Sequence, residues 1–298
     1  MKFLIVGEAH RKNVHGFHLL AKHIGAQVVK TEDRVKWKED YELVWVAVGT
    51  YHSEEFPKAK RILYGPHNFV FPHSPWTLAP HESFSRSIYT CLSEWNKKIY
   101  NQVPIRWMPT QILPFPVDID EFPERPKINE YEYDCLFYFK QRRRGMEPFF
   151  RNFLETIGLK YIAIQYGFYK EQEYKDLLQK VKFVFWVGCH ESQGFAMEEA
   201  MSMNVPLVVY DVKSMHDEHN HLNEPSYLEH RSTLDLSATS CAWWSNQCGL
   251  KTQEFEDLES FLLKMKDTWQ SYSPREFIVN TLTAEKCWDR IDLAFDTI

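Results

Sequence analysis

Two kinds of apolar pattern alternate along the chain. Unbroken hydrophobic runs occupy residues 3–6, 43–48, 135–139, 183–187 and 207–210, most of them closed by glycine or a polar turn. A run without polar alternation is what a strand buried on both faces of a parallel sheet needs. Shorter stretches at 27–29, 61–64, 87–93 and 161–165 predict further strands. Between them the apolar residues fall at helical spacing, first through Phe17, Leu19, Leu20 and Ile24 up to Gly25. The same spacing predicts helices over 94–100, 148–157, 171–179 and 195–203, and a mainly helical tail from Phe255. Strands and helices alternating at this length predict an α/β protein with doubly wound parallel sheets.

One stretch breaks the rhythm. Residues 109–126 carry five prolines, each with a fixed φ and no amide to donate, and are read as a linker or exposed crossing segment. The chain therefore reads as two Rossmann-like halves, 1–116 and 117–275, followed by a last helical piece, 276–298. Ligands of such sheets bind beyond the carboxyl ends of the strands, which in a two-domain version puts the site in the cleft between the halves.

Composition narrows this picture. The chain has 298 residues, 44% of them hydrophobic and 15% aromatic, enough apolar material for two cores rather than a disordered polymer. Its net charge of -6 argues against a nucleic-acid binder, which needs a positive footprint. The six cysteines are scattered and form neither a disulfide framework nor a paired zinc motif. The opening apolar run of four residues is too short for a signal peptide, and no stretch approaches a membrane span. The expectation is a soluble, cytoplasmic protein.

The candidate chemistry lies in residues 181–211. A buried strand ends near Gly188, a polar turn follows (Glu191, Ser192, Gln193, Gly194), and a helix begins near Phe195. Unpaired amides and the helix dipole at such a start favour a phosphate, and Gly194 allows close approach of a ligand to the backbone. Glu199, one turn into the helix, is placed to meet the hydroxyls of a ribose. The run Lys140-Gln141-Arg142-Arg143-Arg144-Gly145 follows another strand and offers cations to an anionic ligand. His216, Asp217, Glu218, His219 and His221 could ligate a metal, but their spacing fits no zinc helix and a polar loop is the better account.

Glu191 and Glu199, separated by seven residues and followed by Ala200-Met201 and Asn204-Val205-Pro206-Leu207-Val208, resemble the E-x7-E motif of the retaining GT-B glycosyltransferases, family 4 in particular. Residues 112–122 resemble the interdomain signature of that family, with Phe115-Pro116 where Asn-Gly is common. Residues 88–95, Gly167-Phe168 with Tyr174, Leu177 and Leu178, and the last helix around Trp288 and Ile291 extend the resemblance over nearly the whole chain.

The resemblance implies a GT-B arrangement, with an acceptor-side domain first, a nucleotide-sugar-binding domain second, and a final helix returning to the first. It implies that Glu191 contacts hydroxyls of the donor sugar and Glu199 binds the ribose. Gln193, Gly194 and Phe195 would offer amides to sugar and diphosphate. Lys140 and Arg144, with Arg143 in reserve, would neutralise the departing diphosphate without a metal. Gly16, expected in the loop after the first strand, would approach phosphate or acceptor, and His67 would lie near the donor sugar. The implied reaction is retaining transfer from a nucleoside-diphosphate sugar to a glycan or other hydroxyl acceptor. No cofactor beyond that donor is expected and no protein nucleophile is assigned. The alternatives are a nucleotide-sugar epimerase or hydrolase, or a catalytically silent nucleotide- or glycan-binding protein.

Overall fold

A computed structural model describes residues 1–49, 51–66, 86–102, 108–126, 128, 130–143, 145–217 and 234–297. The chain divides into two compact units, Met1–Val117 with Leu282–Ile298, and Asp118–Thr281.

In the first unit the strands are β1 (Lys2–Val6), β2 (Gln27–Lys30), β3 (Leu43–Val46), β4 (Ile62–Tyr64), β5 (Ser87–Cys91) and β6 (Thr110–Ile112). They form one parallel sheet in the order β2-β1-β3-β4-β5-β6. The unbroken apolar runs behave as expected: β3 and β5 are buried along their whole length and β1 from its second residue. Among the described residues three helices belong to this unit: α1 (Arg11–His23), α2 (Glu94–Gln102) and, from the end of the chain, α8 (Ala284–Asp296). Helix α8 lies against α1, and its Trp288 stacks on Phe3 of β1 at 5.6 Å between ring centroids.

In the second unit the parallel sheet runs β11-β10-β9-β7-β8. Its strands are β7 (Tyr133–Lys140), β8 (Tyr161–Gln165), β9 (Val181–Gly188), β10 (Leu207–Tyr210) and β11 (Gly249–Thr252). The helices are α3 (Met146–Thr156), α4 (Glu171–Leu178), α5 (Phe195–Ser202), α6 (Leu258–Thr268) and α7 (Pro274–Thr281). Phe137, Phe150, Phe183, Phe185, Leu154, Leu258 and Leu262 form the core between sheet and helices. The piece assigned to the first unit starts at Leu282 rather than 276, because α7 packs on α5 within the second unit.

The proline-rich stretch is more structured than a linker. Residues Thr110–Ile112 pair with β5 as its outer neighbour, so the first sheet extends into the stretch. Phe115, Val117, Phe122 and Arg125 are buried. Proline here removes amides only from positions that make no ladder bond, which is how an edge strand tolerates it.

Candidate active site

In the second unit the candidate side chains lie beyond the carboxyl ends of β7 and β9, where doubly wound sheets place their ligand sites. Lys140 is the last residue of β7 and Glu191 lies three residues past β9. The Cys189 amide donates to the Lys140 carbonyl at 2.9 Å, extending the pairing of the two strands into the loop. Their side chains meet: Lys140 Nζ donates to Glu191 Oε1 at 2.6 Å, and each side chain is only 14% exposed. Lys140 Nζ also sits 4.3 Å from the ring centre of Tyr166. Burial disfavours the ammonium, but the Glu191 carboxylate outweighs it together with its other neighbours, and Lys140 is held above the ordinary lysine range.

The Glu191 turn is tied down from a second side. Its amide donates to the Thr239 carbonyl at 3.1 Å. Buried Asp211, just past β10, accepts from the Thr239 hydroxyl at 2.6 Å, the Ser240 amide at 2.6 Å and the Ser240 hydroxyl at 2.8 Å. One carboxylate thereby fixes the loop on which the Glu191 backbone rests.

Gly194 closes the turn and starts α5. Its φ of +97° is in the left-handed region, where a side chain is strained, so glycine is required here by conformation. The amides of Met197 and Glu198 donate back to its carbonyl, both at 3.0 Å. The amides before them, at Phe195 and Ala196, belong to the open first turn that can receive an anion. Glu199 is buried on the same helix. Glu199 and Lys140 both act on Tyr169: burial pushes its hydroxyl up to about 12, the bond with Tyr138 opposes this, Glu199 raises it further and Lys140 lowers it. The Tyr169 hydroxyl lies 2.7 Å from that of Tyr138, whose ring stacks on Trp186 at 4.0 Å. These three aromatic residues form a cluster within electrostatic reach of Glu191, Glu199 and Lys140.

Beside this centre an open groove of about 590 Å³ lies over the ends of β7 and β8, lined by Arg142, Arg143, Glu147, Gln165, Tyr166 and Phe168 among others. Arg142 turns inward: it is buried, donates to the Gly188 carbonyl at 3.1 Å, and its guanidinium is 5.1 Å from the Tyr210 ring centre. Arg143 is largely exposed and turns toward the 215–217 turn, 3.4 Å from the His216 carbonyl and 3.7 Å from Asp217 Oδ1. Asp217 also accepts the amides of Lys213 and Ser214 at 3.0 and 3.2 Å, so it serves its own turn.

Glu191, Lys140, Glu199, Gln193, Gly194 and Phe195 all lie in the second unit, Lys140 at the end of β7 and the others in the turn after β9 and in α5. Arg144 and His67 lie outside the described residues, as do Glu218, His219 and His221. Gly16 is placed differently. It lies inside α1, not in the loop after β1, and is buried. A Cβ at Gly16 would stand 2.7 Å from Cβ of Phe115, so this glycine permits close packing of helix against chain. The glycine that does end β1 is Gly7, at φ +86°. The sequence reading did not single out Tyr166, Tyr169, Glu198 or Asp211, and it named Arg142 only within the cationic run. Nothing distinguished Arg142 from its two neighbours, and a tyrosine before a glycine carries no ligand signal of its own.

The fold and this geometry define a chain of two Rossmann-like parallel-sheet units, the GT-B class. No protein-family model matches the sequence, and no curated protein matches it. Solved structures do. AviGT4, a glycosyltransferase involved in avilamycin A biosynthesis, superposes with a TM-score of 0.55 at 13% identity, over 99% of this chain and 97% of that one. The apo lipopolysaccharide outer core galactosyltransferase WaaB gives 0.54 at 11%, over 100% and 99%. Sucrose-phosphate synthase from Thermosynechococcus elongatus gives 0.52 at 9%, over 100% and 98%. At these identities the likeness is one of fold.

Proposed function

We propose that the protein is a glycosyltransferase that takes a sugar from a nucleoside-diphosphate donor and passes it, with retention, to a hydroxyl acceptor. The observation that carries this reading is the buried Lys140–Glu191 pair, set at the carboxyl ends of β7 and β9 beside the Gly194 start of α5. In the free protein the two charges satisfy each other. A donor diphosphate arriving at the α5 amides brings negative charge to Lys140, and Glu191 is released to accept from hydroxyls of the sugar. Glu199 accepts from the ribose. The bond from the anomeric carbon to the phosphate oxygen breaks as the acceptor oxygen attacks from the same face, and its proton passes to the leaving phosphate. Lys140 stabilises the charge that grows there, with Arg143 and Arg144 in support, so no divalent ion is needed.

The test is a thermal-shift screen of nucleotide sugars, since a ligand that binds only the native state raises the unfolding midpoint. One donor is expected to stabilise the wild type, while Glu199→Ala and Lys140→Ala lose that shift and turnover. Chelation of divalent ions is expected to leave turnover intact. Absence of any stabilising nucleotide sugar, or wild-type behaviour of both variants, refutes the reading. Donor binding without transfer to any acceptor would instead indicate a silent binding protein.

A further inference from the structure

Helix α5 carries another carboxyl beside Glu199. Glu198 is 1% exposed and Gln193, on the turn before the helix, is 3% exposed. Gln193 Nε2 donates to Glu198 Oε2 at 3.0 Å. This bond spans Gly194, the left-handed residue on which the turn pivots, and so ties the turn to the first turn of the helix. The second oxygen, Oε1, is buried and has no hydrogen-bond partner among the described residues.

A buried carboxylate with one amide partner is expensive, because desolvation disfavours the charged form. The acids acting on Glu198 are Glu199 and Glu191. Lys140, across from Glu191 on β7, is already engaged by that residue. From α7, Arg275 donates to the carbonyl of Ser202 at the far end of α5. Burial raises the Glu198 carboxyl well above the ordinary range, the bond from Gln193 opposes this, and the two acids add to it.

We propose that Glu198 is a positioning residue that holds the Gln193 side chain and so fixes the Glu191–Gly194 turn. Buried with a single amide partner, its carboxyl does so in the protonated form. That turn presents Glu191 to Lys140 and the first amides of α5 to a ligand. Only this last role rests on the donor-site reading. A leucine at 198 would fill the space, but it would remove the bond that Gln193 Nε2 makes to Glu198. A glutamine would keep a carbonyl oxygen for it.

Four variants of the full chain test this: E198Q, E198L, Q193L and Q193L/E198L. The first readout is unfolding in urea from pH 5 to 8. Above the ordinary carboxylate range the unfolded chain loses a proton that a raised native Glu198 retains, so wild-type stability falls as pH rises. E198Q lacks that dependence. The ratio of its unfolding constant to that of wild type is therefore expected to fall as pH rises through this window. Parallel pH profiles for the two proteins would show Glu198 ionised in the fold and overturn the proposal. The second readout is the coupling of 193 and 198 in the urea series, where the double variant is expected to fall short of the summed single losses. Strict additivity overturns the proposal as well.

A third readout is calorimetric titration with UDP and GDP. E198L and Q193L are expected to bind the better of these about tenfold more weakly, and E198Q to recover most of the loss. Equal weakening in E198Q and E198L counts against the positioning role. If neither nucleotide binds even the wild type while the first two readouts come out as expected, the clamp stands and the donor reading alone falls.

Discussion

Lys140 shows how a buried charge is kept in a fold. Removing water from an ammonium costs free energy, and here one carboxylate and one aromatic face repay it. Glu191→Gln keeps the shape but takes away the charge, so the pKa of Lys140 is expected to fall, because burial then acts with less opposition. Selective labelling of the amine across pH 8–11 reads this: Lys140 should react at lower pH in E191Q than in wild type. An unchanged profile would mean that the ion pair is not what holds the lysine charged. Gly16 is the contrasting residue. Alanine is the better helix former by about 1 kcal/mol, yet its Cβ would press on Phe115. Gly16→Ala is therefore expected to lower the unfolding midpoint while leaving nucleotide affinity untouched. A selective loss of affinity at unchanged stability would restore a ligand role for this position.

At the scale of elements, legibility followed burial. Strands such as β7 and β9, covered on both faces, leave continuous apolar runs in the sequence, and those were readable to within about two residues. Strands β6, Thr-Gln-Ile, and β11, Gly-Leu-Lys-Thr, lie at sheet edges with polar residues among their few positions. Their pairing is set by neighbours remote in sequence, so local pattern could not announce them. That Lys140 and Glu191 stand at the ends of neighbouring strands was legible, because apolar runs mark where β7 and β9 stop. Which arginine turns inward depends on Tyr210 and the Gly188 carbonyl, both more than forty positions away. Arg125 is another tertiary effect: buried, it donates to the carbonyls of Leu178, Val181 and Lys182 and lies 4.5 Å from the Tyr131 ring centre. It clasps the turn between α4 and β9, and burial lowers its pKa to about 10. Arg125→Met abandons three carbonyls and is expected to destabilise the chain by about 3 kcal/mol or more, measured by urea unfolding. A loss below about 1 kcal/mol would show those carbonyls to be satisfied without it.

At the scale of the molecule, the order of segments makes the two units unequal. The second is a single stretch, Asp118–Thr281, with its own five-stranded sheet and core. The first is built from two pieces, because residues beyond Leu282 return to it. That return is extensively bonded. The Val117 amide donates to the Leu282 carbonyl at 2.9 Å, Trp288 covers Phe3, and Arg61 pairs with Asp292 while lying 5.5 Å from the Trp288 ring centre. Without α8, Phe3 and the inward face of α1 would meet water, forfeiting about 1.5–3 kcal/mol for each large side chain uncovered. Against a typical domain stability of about 5–15 kcal/mol, two or three such exposures consume much of the margin. A chain ending at Thr281 is therefore expected to lose the cooperative unfolding of its first unit. The isolated stretch 118–281 should unfold in one sharp transition. Urea unfolding followed by far-ultraviolet dichroism distinguishes the fragments. A sharp first-unit transition in the 1–281 chain would mean that α8 is an accessory to that unit rather than part of its core.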